Sequence, residues 1–156
     1  MQSIYKVARI EDAQIDRTYV LVNRIAPAVT LEEWRASCRE LIGRTNRQAD
    51  QDDVAVATNP LGYVQGLSIS AVRRHLIYGR ILEVSVLAVA SAADEAGVAD
   101  DLLRYLKALA EAEACDGIRV WTLGQDDWTL GLAHPEIDRS HHGALMVFNQ
   151  QATIGA

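Results

Sequence analysis

Hydrophobic and polar positions along the chain predict an alternation of strands and helices. Residues Ile4 to Arg9 predict a short strand. Residues 13–26 are ambiguous, because apolar side chains recur at helical spacing while residues 18–22 carry the β-branched and aromatic side chains typical of strands. We favour a helix here, and Pro27 marks its end.

The next predicted helix begins with a recognisable N-terminal capping pattern. Thr30 and Glu33 form a capping-box pattern, in which each side chain satisfies a backbone N–H of the other residue. Apolar residues then share one helical face: Leu31, Trp34, Cys38, Leu41 and Ile42. The pattern predicts a helix from about residue 31 to Arg44, followed by a polar loop to Asp53.

Strand patterns follow in the middle of the chain. Residues Asp53 to Thr58 and Tyr63 to Ser70 predict two strands, and Asn59 to Gly62 has the composition of a turn, so a hairpin is expected. Residues Gly79 to Val89 are almost continuously apolar, as in a central strand that is covered on both faces. Strict alternation would put Leu82, Val84, Val86 and Ala88 on one face and Ile81, Glu83, Ser85 and Leu87 on the other.

The last third of the chain begins with the strongest helical pattern. It runs from Asp94 to Ala114, with leucine and alanine on one face. Further elements are predicted as a strand over Ile118 to Leu123, a short helix over Gln125 to Ala133 and a strand over Ala144 to Phe148. This order predicts a mixed α/β (α+β) domain.

Composition narrows the class of protein. The chain has 156 residues, 49% of them hydrophobic, which suits one domain over 1–156 with a real core. Its 15 basic and 21 acidic residues give a net charge of −6, which argues against general binding to nucleic acid or to anionic membranes. No apolar run approaches a membrane span, no signal peptide is visible, and Cys38 and Cys115 fit no CxxC pattern, so we expect a cytoplasmic protein with reduced, buried thiols.

One segment carries a specific motif. Over residues 81–106, a strand, a loop and a helix contain Leu87, Val89, Ser91, Asp94, Gly97 and Ala99 at the spacing Leu-x-Val-x-Pro-x-x-Arg/Gln-x-x-Gly-x-Gly/Ala. That spacing resembles the cofactor motif of the GNAT superfamily of N-acetyltransferases. The resemblance implies a mostly antiparallel central sheet flanked by helices, with a central strand that splays from its neighbour.

The resemblance also implies a binding site for acetyl-CoA. The N-terminus of a helix suits a pyrophosphate, because its N–H groups are unpaired and its dipole is positive there. By position, Asp94, Ala96, Gly97, Val98 and Ala99 would hold the phosphates, and the backbone of Leu87, Ala88 and Val89 would hold the pantetheine arm.

The motif is altered at its most important polar position. Asp94 stands where the family has arginine or glutamine, and Glu95, Asp100 and Asp101 lie nearby. These carboxylates either oppose a bound anion or simply cap the helix and complement its dipole. The sequence leaves both readings open.

Candidate catalytic groups are few. GNAT enzymes often place a glutamate base on the central strand, and Glu83 occupies such a position. The alternatives are an ion pair of Glu83 with Arg80 or Arg119, or an outward-facing position. The tyrosine that commonly serves the family as acid has no counterpart, since Tyr105 is the last tyrosine.

Two other clusters are weaker candidates. Residues 73–75, Arg-Arg-His, could contact a phosphate or an acidic substrate, but a solvated turn is the simpler interpretation. His134, Asp138, His141 and His142 have no recognised ligand spacing, so no metal site is predicted.

The functional expectation is an N-acetyltransferase that moves an acetyl group from acetyl-CoA to a primary amine of a small molecule or protein. Its rivals are a GNAT-like binding or assembly module that no longer binds CoA, and an unrelated α/β domain whose motif match is chance. The identity of the acceptor is not encoded in any pattern. A homodimer is the expected assembly, by analogy with the family.

Overall fold

The computed structural model of the protein describes residues 4–46, 48–90 and 94–121. In chain order, the elements are β1 (Lys6–Arg9), a short 3-10 turn (Asp12–Gln14), α1 (Ile15–Ile25), α2 (Leu31–Gly43), β2 (Asp53–Thr58), β3 (Val64–His75), β4 (Gly79–Val89), α3 (Glu95–Ala112) and β5 (Gly117–Val120).

The strands form one sheet whose spatial order follows the chain, β1-β2-β3-β4-β5. Neighbouring strands are antiparallel as far as β4, and β5 then lies parallel to β4. A parallel neighbour requires a crossover connection, which α3 supplies. The predicted mixed and mostly antiparallel sheet is confirmed.

Helices cover both faces of this sheet. On one face, α1 and α2 bury Leu21, Trp34 and Leu41 against Val56 and Leu67. On the other face, α3 packs its apolar side against β3 and β4, burying the following side chains: Val72, Leu82, Val84, Leu87, Val98, Leu102 and Leu106. The sheet is therefore buried on both sides, as the apolar run in β4 predicts.

A β-bulge in β4 overturns the predicted alternation of its side chains. Ile69 pairs with Val86 and Ser70 pairs with Val84, so Ser85 is an extra residue in β4. Val84 and Leu87 consequently both lie in the core beneath α3, whereas Val86 and Ala88 pack on the α1 and α2 side. Strict alternation is wrong from Ser85 onwards, because one inserted residue exchanges the two faces.

Most predicted elements are present, with some shifted bounds. The helical interpretation of the ambiguous first segment is confirmed by α1, and the capping box of α2 is formed, with the Thr30 Oγ1 accepting from the Glu33 N–H at 3.2 Å. Strand β3 continues to His75, so residues 73–75 lie in a strand and not in a turn. The predicted helix over Gln125 to Ala133 and strand over Ala144 to Phe148 lie outside the described residues.

Two further expectations concern burial. Cys38 lies in the core, where desolvation raises its pKa to about 12, and Cys115 is half-buried. Across 4–46, 48–90 and 94–121, no helix is long and apolar enough to cross a bilayer.

Candidate functional site

Within residues 4–46, 48–90 and 94–121, β5 pairs with only the first half of β4. Pairing with β5 runs from Ile81 to Val84, and the Trp121 N–H donates to the Val84 carbonyl oxygen at 3.0 Å. Beyond that point β4 continues to Val89, paired only with β3 within the described ranges. The bulge at Ser85 directly follows Val84, the last residue of β4 with a described contact to the β5 side, and a bulge bends and twists its strand. The backbone of Leu87, Ala88 and Val89 lies beyond this bulge and precedes α3 in the chain.

The N-terminus of α3 follows this segment in the chain and is capped by its own carboxylate. Asp94 is the N-cap residue, and its Oδ1 accepts a hydrogen bond from the Gly97 N–H at 3.1 Å. A Cβ atom built on Gly97 would lie only 2.3 Å from the Asp94 Oδ2 and 2.6 Å from its Oδ1. The carboxylate therefore lies directly over the backbone of Gly97, in space that a side chain would fill.

A second residue, which directly precedes β1, contacts the same carboxylate. The Tyr5 hydroxyl donates to the Asp94 Oδ2 at 2.7 Å. This hydrogen bond raises the pKa of Tyr5 above its ordinary value, and desolvation and the negative charges of Asp94 and Asp101 act in the same direction. Asp94 thus accepts from a helix backbone group and from a side chain 89 positions earlier.

The Tyr5 main chain is fixed as well. Its N–H donates to the Asp101 Oδ2 at 3.0 Å, and the other oxygen of Asp101 accepts from Arg104 one helical turn further along. The Asp101 side chain is buried, so these partners are needed to offset its desolvation. Two carboxylates of α3 therefore hold the backbone and the hydroxyl of Tyr5.

The residues predicted to bind a cofactor are distributed over two kinds of environment. Asp94, Ala96 and Gly97 surround the first turn of α3, and Ala96 is exposed. The Val98 and Ala99 side chains are fully buried in the core, and the Leu87 and Ala88 side chains are also buried. These four residues expose almost no surface, and the Val98 N–H already donates to the Asp94 carbonyl oxygen, so their role in cofactor binding stays a prediction.

Glu83 is paired with arginines on both of its carboxylate oxygens. Its Oε2 accepts from the Arg119 Nη2 on β5, and its Oε1 lies 3.5 Å from the Arg73 Nε on β3. Of the two partners proposed from the sequence, Arg119 is the one observed. Arg80 instead donates through its Nε to the Glu113 carbonyl oxygen at 2.8 Å.

This ion-pair group extends towards the loop before β2. Arg73 also lies 3.5 Å from the Asp50 Oδ1 and 3.7 Å from the Asp52 Oδ1. Desolvation raises the pKa of Asp52, while the positive charges of Arg73 and Arg44 oppose that shift. The Arg73 guanidinium therefore lies within 4 Å of three carboxylates, those of Asp50, Asp52 and Glu83. The His and Asp residues considered for a metal site lie outside the described residues.

Tyr5 and Asp101 have roles at this site that the sequence did not reveal. Neither lies within the motif pattern, and their contact spans 96 positions. A tyrosine within a predicted strand is unremarkable by itself, and an aspartate in a helix pattern predicts solvent exposure. A signal could come only from knowing that β1 begins beside α3.

Comparisons by sequence and by structure give different results for this chain. No protein-family model matches it, and no curated protein sequence is significantly similar to it. A transcriptional regulator from Bacillus halodurans C-125 superimposes with a TM-score of 0.72 at 18% identity, covering 92% of this chain and 99% of that one.

Two acetyltransferases are similarly close in structure. The aminoglycoside N-acetyltransferase AAC(6')-Iy in complex with CoA gives a TM-score of 0.69 at 14% identity, covering 96% of each chain. The ribosomal-protein-alanine N-acetyltransferase from Brucella melitensis biovar Abortus 2308 gives 0.67 at 14% identity, covering 92% of this chain and 99% of that one. Together with the sheet order and the crossover by α3, these similarities show that the chain has the fold of the GNAT N-acetyltransferases.

Proposed function

We propose that this protein is an acyl-CoA-dependent N-acyltransferase that transfers an acetyl group from acetyl-CoA to a primary amine. The observation that carries the proposal is that the second half of β4 lies beside the first turn of α3, since a Cβ atom built on Gly66 would be 2.9 Å from both the Ala88 carbonyl oxygen and the Val98 Cγ1. This arrangement offers backbone groups to an extended ligand and helix N–H groups to an anion. The structural similarity to a CoA-bound aminoglycoside acetyltransferase supports the same cofactor class.

The backbone groups of the proposed site suit CoA, whereas the Asp94 side chain occupies part of the position proposed for its phosphates. The first N–H groups of a helix have no acceptor within the helix, so Glu95 and Ala96 can present theirs to a phosphate. The N–H of Gly97 is already engaged by Asp94. Leu87, Ala88 and Val89 would hold the pantetheine arm through their backbone. When bound, acetyl-CoA supplies the activated acyl group as a thioester.

Glu83 is the proposed general base. An amine acceptor arrives as an ammonium ion and must lose a proton before it can attack the thioester carbonyl, so a carboxylate on β4 has a chemical task here. To perform it, Glu83 would accept the proton directly or through a water molecule while Arg119 or Arg73 keeps its side chain in place. The arginine contacts are equally compatible with a structural ion pair, so the two roles must be separated by kinetics.

Thiol release from acetyl-CoA in the presence of primary amines tests this function. The panel should contain a polyamine, an aminoglycoside, a free amino acid and a peptide with a free N-terminus. We expect amine-dependent release with at least one class, and Glu83→Gln should lower kcat by about 10²–10⁴-fold, the usual contribution of a general base.

The matched control for Glu83→Gln is Arg73→Gln. It removes a partner of Glu83 and keeps the carboxylate, so a purely structural role predicts similar losses of activity and stability for both variants. Unchanged kcat in Glu83→Gln would contradict the assignment of the base. Absence of amine-dependent release with every panel member would count against the acyltransferase and favour a binding module.

A further inference from the structure

Asp94 and Tyr5 form a hydrogen-bonded pair, here called the latch, at the position where the motif places the phosphates of CoA. We propose that the latch is an internal competitor for that position, and that acyl-CoA binding requires Asp94 to leave the N–H of Gly97. This inference rests on the proposed function and adds to it a built-in restraint on cofactor binding.

The carboxylate of Asp94 already does what a bound anion would do. It carries a negative charge to the positive end of α3, and it accepts from the Gly97 N–H at 3.1 Å. The absence of a side chain at Gly97 leaves room for an anion to approach its backbone, and the Asp94 Oδ1 and Oδ2 lie in that room. A phosphate and this carboxylate therefore cannot use the Gly97 N–H together.

The hydrogen bond from Tyr5 distinguishes the Asp94 carboxylate from an ordinary helix cap. A cap needs only its own helix, whereas the Tyr5 hydroxyl holds the second oxygen of Asp94 at 2.7 Å from another element. Tyr5 is itself fixed through its backbone by the buried Asp101, which Arg104 neutralises in part. The latch therefore fixes the orientation of the Asp94 carboxylate from both sides.

Both identified partners of the Asp94 carboxylate, the Gly97 N–H and the Tyr5 hydroxyl, are donors. An incoming phosphate that displaces Asp94 can accept from the same two groups, so one anion replaces another without stranding either donor. While Asp94 stays in place, its charge lies at contact distance from the phosphate and repels it. The latch should consequently weaken CoA binding without abolishing it.

The test is calorimetric titration of CoA into the full chain and its variants. Asp94→Ser retains a capping hydroxyl and removes the charge, and we expect it to bind CoA about tenfold more tightly than the unsubstituted chain. Asp94→Asn removes the charge while keeping an acceptor oxygen for Gly97, and it provides the same comparison if the serine variant folds poorly. Glu111→Gln is the matched control, because it removes the same charge from an exposed residue at the other end of α3 and should change the affinity less than about threefold.

A second test measures thermal stability and not CoA affinity. In thermal unfolding without CoA, Tyr5→Phe and Asp94→Ser should be non-additive, because they remove the same hydrogen bond, and this coupling should vanish with saturating CoA. Equal CoA affinity in the unsubstituted chain and both Asp94 variants would overturn the latch and leave the proposed function standing, as would weaker binding by the variants. Absence of CoA binding by every form at millimolar ligand would overturn both the latch and the CoA part of the proposed function.

Discussion

At the scale of single residues, Gly66 on β3 sets how closely α3 can approach the sheet. A Cβ atom built at this position would lie 2.9 Å from the Ala88 carbonyl oxygen, 2.9 Å from the Val98 Cγ1 and 3.0 Å from the Leu102 Cδ1. The contacts come from β4 and from α3, so the glycine serves close packing and not a turn. The distance between α3 and β4 in turn determines where the first N–H groups of α3 lie relative to Leu87, Ala88 and Val89 of β4.

Gly66→Ala should destabilise the fold by about 1–3 kcal/mol, the usual cost of inserting a methyl group into a packed core. Urea unfolding measures the loss. The matched control is Gly43→Ala in α2, where an added Cβ meets nothing within 4 Å and alanine favours the helix, so stability should stay the same or rise slightly. Equal effects of the two substitutions would contradict the packing role of Gly66.

At the scale of elements, the contacts that build the candidate site are those that local sequence patterns cannot predict. The helices, the hairpin and the capping box of α2 follow from periodicity and from turn residues within a few positions of each other. The bulge at Ser85 does not, because it depends on the register between β3 and β4. Nor does the contact of Tyr5 with Asp94, which requires β1 to begin beside α3. The motif predicts where a cofactor would bind, whereas the contacts of the Asp94 carboxylate there are visible only in the three-dimensional structure.

The link between β1 and α3 through Tyr5 predicts a loss of stability at alkaline pH. The pKa of Tyr5 is raised in the folded protein, so above about pH 10 the unfolded chain releases its phenolic proton while the folded chain still holds it. The unfolded state then binds fewer protons, and the free energy of unfolding falls as pH rises from about 10 through the folded-state pKa.

Urea midpoints measured at pH 9 and pH 11 test this prediction. We expect the loss between the two pH values to be smaller in Tyr5→Phe than in the unsubstituted chain. Tyr63→Phe is the matched control, because the Tyr63 side chain is largely exposed and its substitution should leave the loss unchanged. The same loss in all three proteins would argue against the hydrogen bond to Asp94.

At the scale of the whole molecule, the fold and the charge distribution point in different directions. The strand order, the parallel β4 and β5 and the crossover by α3 are those of the GNAT acetyltransferases. The entrance where the motif places phosphates nevertheless carries Asp94 and Glu95 within a chain of net charge −6. The proposed backbone contacts would favour CoA and these carboxylates would oppose it, so affinity is the quantity that decides between a working acyltransferase and a binding module.

The most direct measurement is therefore the dissociation constant for CoA, with a bulky residue placed in the first turn of α3. Ala96 is exposed and precedes Gly97, so Ala96→Trp should block phosphates without disturbing the core, whereas tryptophan at Gly97 would collide with Asp94 and damage the cap as well. Ala108→Trp, at another exposed alanine of α3, is the control. We predict micromolar binding by the unsubstituted chain, at least about tenfold weaker binding by Ala96→Trp and unchanged binding by Ala108→Trp. Binding that is equal in all three proteins, or absent from the unsubstituted chain, would contradict a CoA site at the junction of β4 and α3.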